Sequence, residues 1–275
     1  ASPDVLNTDG ETALMIAAAK VHLDSVRVLA EKGLSANVQN KKGNTALMTA
    51  AEKGHTDLVK VLVQNGANLE IMNPNGQTAL MIAAEKGHTG AVKSLAEKKD
   101  GIDLRNKEGE TALMMATRNG YTDPVKAIVS HGADTELADK NGVTPLMVAA
   151  GLEEGDCLKV LLNKGANVDS QSNDGKSALL IAATKGYMFH VKALLGNGAS
   201  LANRDNRGQS ALTAAAAGGH TEIVKLFLIH WGGFDIKDVD AAISNAQGGL
   251  GGLFGAKFPA TVETLKTHRK LLASL

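Results

Sequence analysis

The sequence predicts an all-α solenoid: short helix-turn-helix units stacked one on the next, with short β-hairpin or turn fingers between them. Three observations predict it. The segment Asp9-Gly10-Glu11-Thr12-Ala13-Leu14-Met15 recurs six more times, its glycine falling at 43, 76, 109, 142, 175 and 208, a constant step of 33 residues. Each copy opens on turn residues and runs through an Ala- and Leu-rich stretch, a break and a second apolar stretch. Aromatic residues make up only 3% of the 275 residues, a balance that suits thin, closely stacked layers better than one bulky core. A fixed period of this size is the signature of stacked supersecondary units.

The third copy serves as the template. Asn73-Pro74-Asn75-Gly76 supplies a tight turn, with the glycine able to take a positive φ. Thr78 stands at the N-cap, where a hydroxyl can satisfy an orphaned amide. Thr or Ser holds that slot in all seven copies: Thr12, Thr45, Thr78, Thr111, Thr144, Ser177 and Ser210. Pro145 follows it in the fifth copy and suits a first helical residue, which has no N–H to lose. The first helix then reads Leu80-Met81-Ile82-Ala83-Ala84, small enough for neighbouring helices to approach closely. Gly87-His88 breaks it, and a second helix runs to about Ala96; Gly66 closes the equivalent helix one copy earlier as a left-handed C-cap. Neither helix is long enough to hold alone in water, so each must bury its apolar face on the next unit.

The ends depart from the middle. Residues 1–8 match the closing part of a preceding unit, with Val5 aligned to Val38, and the chain opens at Ala1, so a half-repeat or a trimmed, processed N-terminal unit is expected there. Seven units occupy 9–231. Residues 232–275 read as a degenerate eighth unit: a helix over 238–247, a Gly-rich loop over 248–255 and a longer helix over 259–274. It is expected to cap the array, since an open solenoid end exposes core.

These units resemble the ankyrin-repeat family, whose pattern is a Gly, Thr-Pro-Leu-His-x-Ala-Ala, Gly-His, Ile-Val-x-x-Leu-Leu and Gly-Ala. The best-matching copies read TALMIAAEKGH and TEIVKLFL, and the resemblance covers roughly residues 5–231. Ala replaces the family Pro in all copies but the fifth, and Met replaces its His at Met15, Met48, Met81, Met114 and Met147. The fifth copy has Glu153-Glu154 in place of Gly-His, and Lys99 and Trp231 occupy C-cap slots that usually hold Gly. The resemblance implies a non-enzymatic protein-interaction scaffold whose partner meets the concave side, built from finger tips and the exposed edge of the first helices.

Lys+Arg and Asp+Glu are both 29, so no net charge draws the molecule onto nucleic acid, and a protein partner of mixed surface charge is expected. Cys157 stands alone, which excludes an intramolecular disulfide framework. No apolar run is long enough to span a bilayer and no signal peptide is visible. A cytoplasmic monomer without cofactor or metal is the expectation, with a secreted or processed chain as the alternative.

The periodic columns read as structure. His22, His55, His88 and His220 recur at the repeat step, but stacked units hold equivalent atoms roughly 8–10 Å apart. Zinc needs its ligands within about 2.1 Å of one point. These imidazoles therefore read as ties between loop backbone and a neighbouring unit, and the Met column as filling between units. Seven cations line the second helices, yet an acid lies three residues earlier in five of them (Asp24, Asp57, Asp123, Asp156, Glu222), which neutralises the stripe. Gly248–Lys257 lacks the spacing of a phosphate loop. Cys157 and His190 have neither an oriented base nor an oxyanion site, so no catalytic residue is assigned.

What remains is non-periodic. Val143 and Leu152 stand where neighbouring copies carry polar residues, with Leu152 expected on the edge of the first helix. Glu110, Arg118, Asp174, Lys176 and Lys185 form a charged rim, and an apolar spot with such a rim is how interface centres are built. A secondary candidate is the aromatic C-terminal end: Trp231, Phe234, Leu253 and Phe254. Two other readings stay open, namely a docking or targeting part of a larger enzyme or effector system, and peripheral membrane attachment through the Gly-rich loop.

Overall fold

The computed structural model describes residues 5–32, 36–230, 236–248 and 258–273. The chain divides into two compact units, Ala1–Lys140 and Asn141–Leu275. In the first, helices come in pairs: α1 (Ala13–Ala19) with α2 (Leu23–Glu31), α3 (Ala46–Glu52) with α4 (Thr56–Gln64), α5 (Ala79–Lys86) with α6 (Thr89–Ala96), and α7 (Ala112–Arg118) with α8 (Thr122–Ser130). The second holds α9 (Pro145–Ala150) with α10 (Asp156–Asn163), α11 (Ala178–Lys185) with α12 (Met188–Gly196), and α13 (Ala211–Ala217) with α14 (Thr221–His230). It ends with α15 (Ile236–Ala246) and α16 (Pro259–Ala273). Within each unit first helices stack on first helices and second on second, as α3 on α5 and α4 on α6, or α11 on α13 and α12 on α14. This is an all-α helix-turn-helix stack.

The caps are where the sequence puts them. All seven Thr and Ser hydroxyls accept from the amide three residues on, from Met15 N to Thr12 at 3.2 Å through Thr213 N to Ser210 at 3.2 Å. Each such bond supplies about 1 kcal/mol of cap stability. The Met column is buried between layers, with Met48, Met81 and Met114 at 2%, 1% and 0% exposure.

The fingers are turns rather than β-hairpins. Among the described residues only two isolated bridges occur, Gln171 with Ser177 and Arg204 with Ser210. Side chains do the work of a strand ladder. Asn40 Oδ1 accepts from the amides of Lys42 and Asn44, Asn73 from Asn75 and Gln77, and Asn106 from Glu108 and Glu110. Successive fingers then bond edge to edge, as Lys140 N to Glu108 O at 3.1 Å and Asn173 N to Asn141 O at 2.8 Å. Only glycine fits the tip: Gly76 has φ +76°, and a Cβ there would lie 2.8 Å from Lys107 N.

A second lock runs between fingers and escapes a reading by motif. Gln171 Nε2 donates to Gly175 O at 2.7 Å and to Arg204 O, 33 residues on, at 3.0 Å. Gln39 grips Gly43 O and Met72 O in the same way, and Arg105 grips Gly109 O and Ala138 O. Two residues keep the left-handed turn without the glycine their slot favours. Lys99 and Val21 sit at φ +63° and +62°, a conformation that costs an L-residue roughly 1–2 kcal/mol.

At the C-terminal end α15 packs on α13, and α16 packs on α14 and α15. The Phe258 ring covers Gly219 as the His88 ring covers Gly54; a Cβ on either glycine would collide with the ring, at 2.2 and 2.6 Å. Thr221 Oγ1 lies 2.6 Å from the buried Thr261 Oγ1, and Arg269 of α16 pairs with Asp240 of α15.

Candidate protein-binding face

In two copies a finger residue meets the residue eight positions on, across the gap to the following first helix. Gln77 Nε2 donates to Glu85 Oε2 at 2.8 Å, and Glu110 forms an ion pair with Arg118. These polar struts close the edge of α5 and α7. In the same register the second unit has Val143 opposite Gly151, which can form no strut. A Cβ on Gly151 would meet the Val148 carbonyl at 3.4 Å, Ile181 Cγ2 at 3.6 Å and the Met147 carbonyl at 3.9 Å. Val143, Val148 and Ile181 are each half-buried. Ile181 of α11 thus stands beside Gly151 at the exit of α9, and Val148 and Ile181 share one register on the two helices.

The rim is charged but internally paired. Lys176 Nζ lies 2.7 Å from Asp174 Oδ2, and Ser172 Oγ donates to Asp174 Oδ1 at 2.5 Å. Hydrogen bonds from Lys176 and then Ser172 hold the Asp174 carboxyl down at about 2, so it stays ionised at any ordinary pH. Lys185 is exposed at the last residue of α11.

Several expected placements change. Leu152 is not on the first-helix edge: α9 stops at Ala150, and Leu152 lies half-buried in the bend beyond it. The fifth copy has Glu153 where α5 is followed by Gly87 at φ +75°, so the tight left-handed exit is replaced by a longer loop to Gly155. Glu110 and Arg118 belong to the first compact unit and satisfy each other there. Trp231, Phe234, Leu253 and Phe254 lie outside the described residues. Val148 and Ile181 carry no sequence signal, because at that register the other copies also carry aliphatic or small residues; partial exposure sets them apart only from Ile82, Met115 and Ala214.

The periodic side chains have structural partners. His88 Nε2 lies 3.0 Å from the Glu52 carbonyl and His220 Nε2 lies 3.1 Å from the Thr184 carbonyl, each tying a second helix back to the preceding pair. Lys60, Lys126, Lys159 and Lys225 pair with the acid three residues before them at 3.8, 3.3, 3.0 and 2.8 Å. Cys157 is buried in α10. His190 of α12 is 1% exposed between Tyr187 and Phe189, hydrogen-bonded to the Glu154 backbone, and its Nε2 has no hydrogen-bond partner. Burial holds its pKa below the ordinary imidazole value. Among the described residues no group of three or more His, Cys, Asp or Glu could hold a metal, and no helix is long and apolar enough to cross a membrane.

The model of the family described as ankyrin repeats (3 copies) matches residues 1–73, 22–107, 59–139, 99–172 and 146–240. This chain belongs to the ankyrin-repeat family. A solved structure described as the ankyrin repeat domain of Bcl-3, a unique member of the IkappaB protein family, is similar to it. The two are 28% identical with a TM-score of 0.69, over 75% of this chain and 95% of that one. No curated protein matches the sequence. As an ankyrin-repeat array the chain is a non-enzymatic protein–protein interaction scaffold.

Proposed function

We propose that this ankyrin array binds a protein partner on the face made by its finger tips and first-helix edges, with Val143, Val148 and Ile181 as the centre. The observation that carries the reading is that Val143 and Gly151 are both without a polar side chain, at the register where Gln77 bonds Glu85 and Glu110 bonds Arg118 and where every other copy keeps at least one polar residue. A partner side chain entering there would bury apolar surface where neither position offers a polar side chain. Interface centres of this kind are apolar, water-excluding and ringed by polar groups. Asp174, Lys176 and Lys185 supply such a ring, with Leu152 beyond the end of α9 as an outlying contact. Their mixed signs, and a net charge of zero, fit a partner of mixed charge rather than nucleic acid. The protein is proposed to work as a monomer, with α15 and α16 capping the apolar ends of α13 and α14.

A photo-crosslinking residue at Val148 should trap the partner, while the same residue at Lys60, on the far side of the second-helix layer, should not. Equal trapping from both positions would refute the assignment.

A further inference from the structure

A second surface lies on the second helices. Between α12 and α14 the structure has a groove of about 660 Å³, lined by Lys192, Leu195, Gly196, Leu201 and Leu226 together with the 198–200 turn. Ile229 follows Leu226 by three residues, hence on the same side of α14, and is 79% exposed. The equivalent groove of the first unit shows what the repeat ordinarily puts there. It is lined by Lys93, Ser94, Glu97, Ala127, Ser130 and His131. Three steps of 33 residues carry Glu97 to Gly196, Ala127 to Leu226 and Ser130 to Ile229. Polar or small residues have become large aliphatic ones on α14, and the acid of the groove has become a glycine.

That glycine also changes the charge. Lys192 is exposed, and the positions that could neutralise it along its own helix hold Met188, Phe189, Leu195 and Gly196. The acids at the helices packed on α12 are engaged elsewhere, and α11 carries no acid, only Lys185. Lys225 of α14 holds Glu222 at 2.8 Å, Lys159 of α10 holds Asp156 at 3.0 Å, and Lys159 Nζ also caps the Phe189 ring at 4.8 Å. An apolar trough thus carries a cation with no acid on its own helix to answer it.

We propose that this groove docks an amphipathic, acidic helical segment of a protein partner. Its apolar stripe would lie on Leu195, Leu226 and Ile229, and a carboxylate would meet Lys192. A helix laid in a groove between two helices is an established recognition mode, read by apolar anchors at three- and four-residue spacing. The surface is separate from the finger-side centre, so the two can be lost independently.

Gly196 offers a variant that should leave the fold alone. A Cβ there meets nothing within 4 Å, and the residue ends α12 without a left-handed φ. Gly196→Phe therefore fills the groove, and Lys192→Glu reverses its charge at an exposed site. The probe is a displayed library of helix-forming peptides selected on the full chain. Enriched peptides should carry apolar residues at helical spacing beside Asp or Glu. They should bind Gly196→Phe and Lys192→Glu at least about tenfold more weakly, a loss of 1.4 kcal/mol or more. Binding to Val143→Asp should be unchanged, which separates this surface from the proposed function. Enrichment of nothing, or of peptides without acids, overturns the proposal. So does a shift in Trp231 emission caused by Gly196→Phe alone, because the chain's own segment would then be the occupant.

Discussion

Pairs α5–α6 and α9–α10 are built on one template and used differently. In α5–α6 every periodic device is present: Gly87 turns out of the helix, His88 reaches back to the Glu52 carbonyl, and Gln77 braces Glu85. In α9–α10 the first helix has six residues instead of eight, no histidine follows it, and Val143 and Gly151 leave the brace out. Yet the same positions are buried, with Leu80 and Leu146 at one register and 4% and 1% exposed, and Val92, Leu95 and Ala96 answered by Leu158, Leu161 and Leu162. The core repacks with other apolar residues, while the polar ties are lost. A nearest-neighbour stack allows this, because each pair needs only its packed faces to hold its place.

If that is right, core and surface changes should separate cleanly. Leu80→Ala and Leu146→Ala should each cost about 2–5 kcal/mol in urea unfolding, because both empty a filled layer. A mild Leu146→Ala would show α9–α10 to be loosely packed, and its exposed apolar groups would then be slack rather than a designed face. Removing a tie should cost less. His88→Ala leaves the Glu52 carbonyl without its partner and should lower stability by about 1 kcal/mol, whereas Val143→Asp should leave the urea midpoint nearly unmoved.

The legible part of the molecule is the part that repeats. Thr78, Gly76 and Met81 were readable because a cap, a turn and a filled layer each recur at a fixed offset. The Gln39, Arg105 and Gln171 locks were not, because a long polar side chain in a finger has no local signature of what it will reach. Leu152 was misplaced because the sequence does not show that α9 stops early without its left-handed glycine. Val148, Ile181 and Ile229 carry ordinary aliphatic side chains, whose exposure the sequence does not show.

His190 sharpens the comparison by pH. Its folded pKa is lowered by burial, so its neutral form is the one that packs. Stability is complete above the ordinary imidazole pKa near 6.5 and falls as pH drops through that value, because the unfolded chain takes up the proton first. His190→Leu, matching Leu58 in the same register, should flatten the unfolding profile between neutral and mildly acid pH. An unchanged slope would place the titrating group elsewhere. The smallest effect is at Lys99: glycine there should raise stability by about 0.5–1 kcal/mol, relief of the left-handed strain being partly offset by the freer unfolded chain.

Binding is proposed to reside where the ankyrin pattern is broken on the finger side. The most direct measurement is quantitative capture of the partner by the full chain, by Val143→Asp/Val148→Glu, and by a control with Gln77→Asp and Lys86→Asp in the regular α5 pair. All three should have the same helical signal. The account predicts that the first variant loses at least about nine-tenths of the captured partner, a tenfold change, while the control retains it. Equal capture by all three would contradict it.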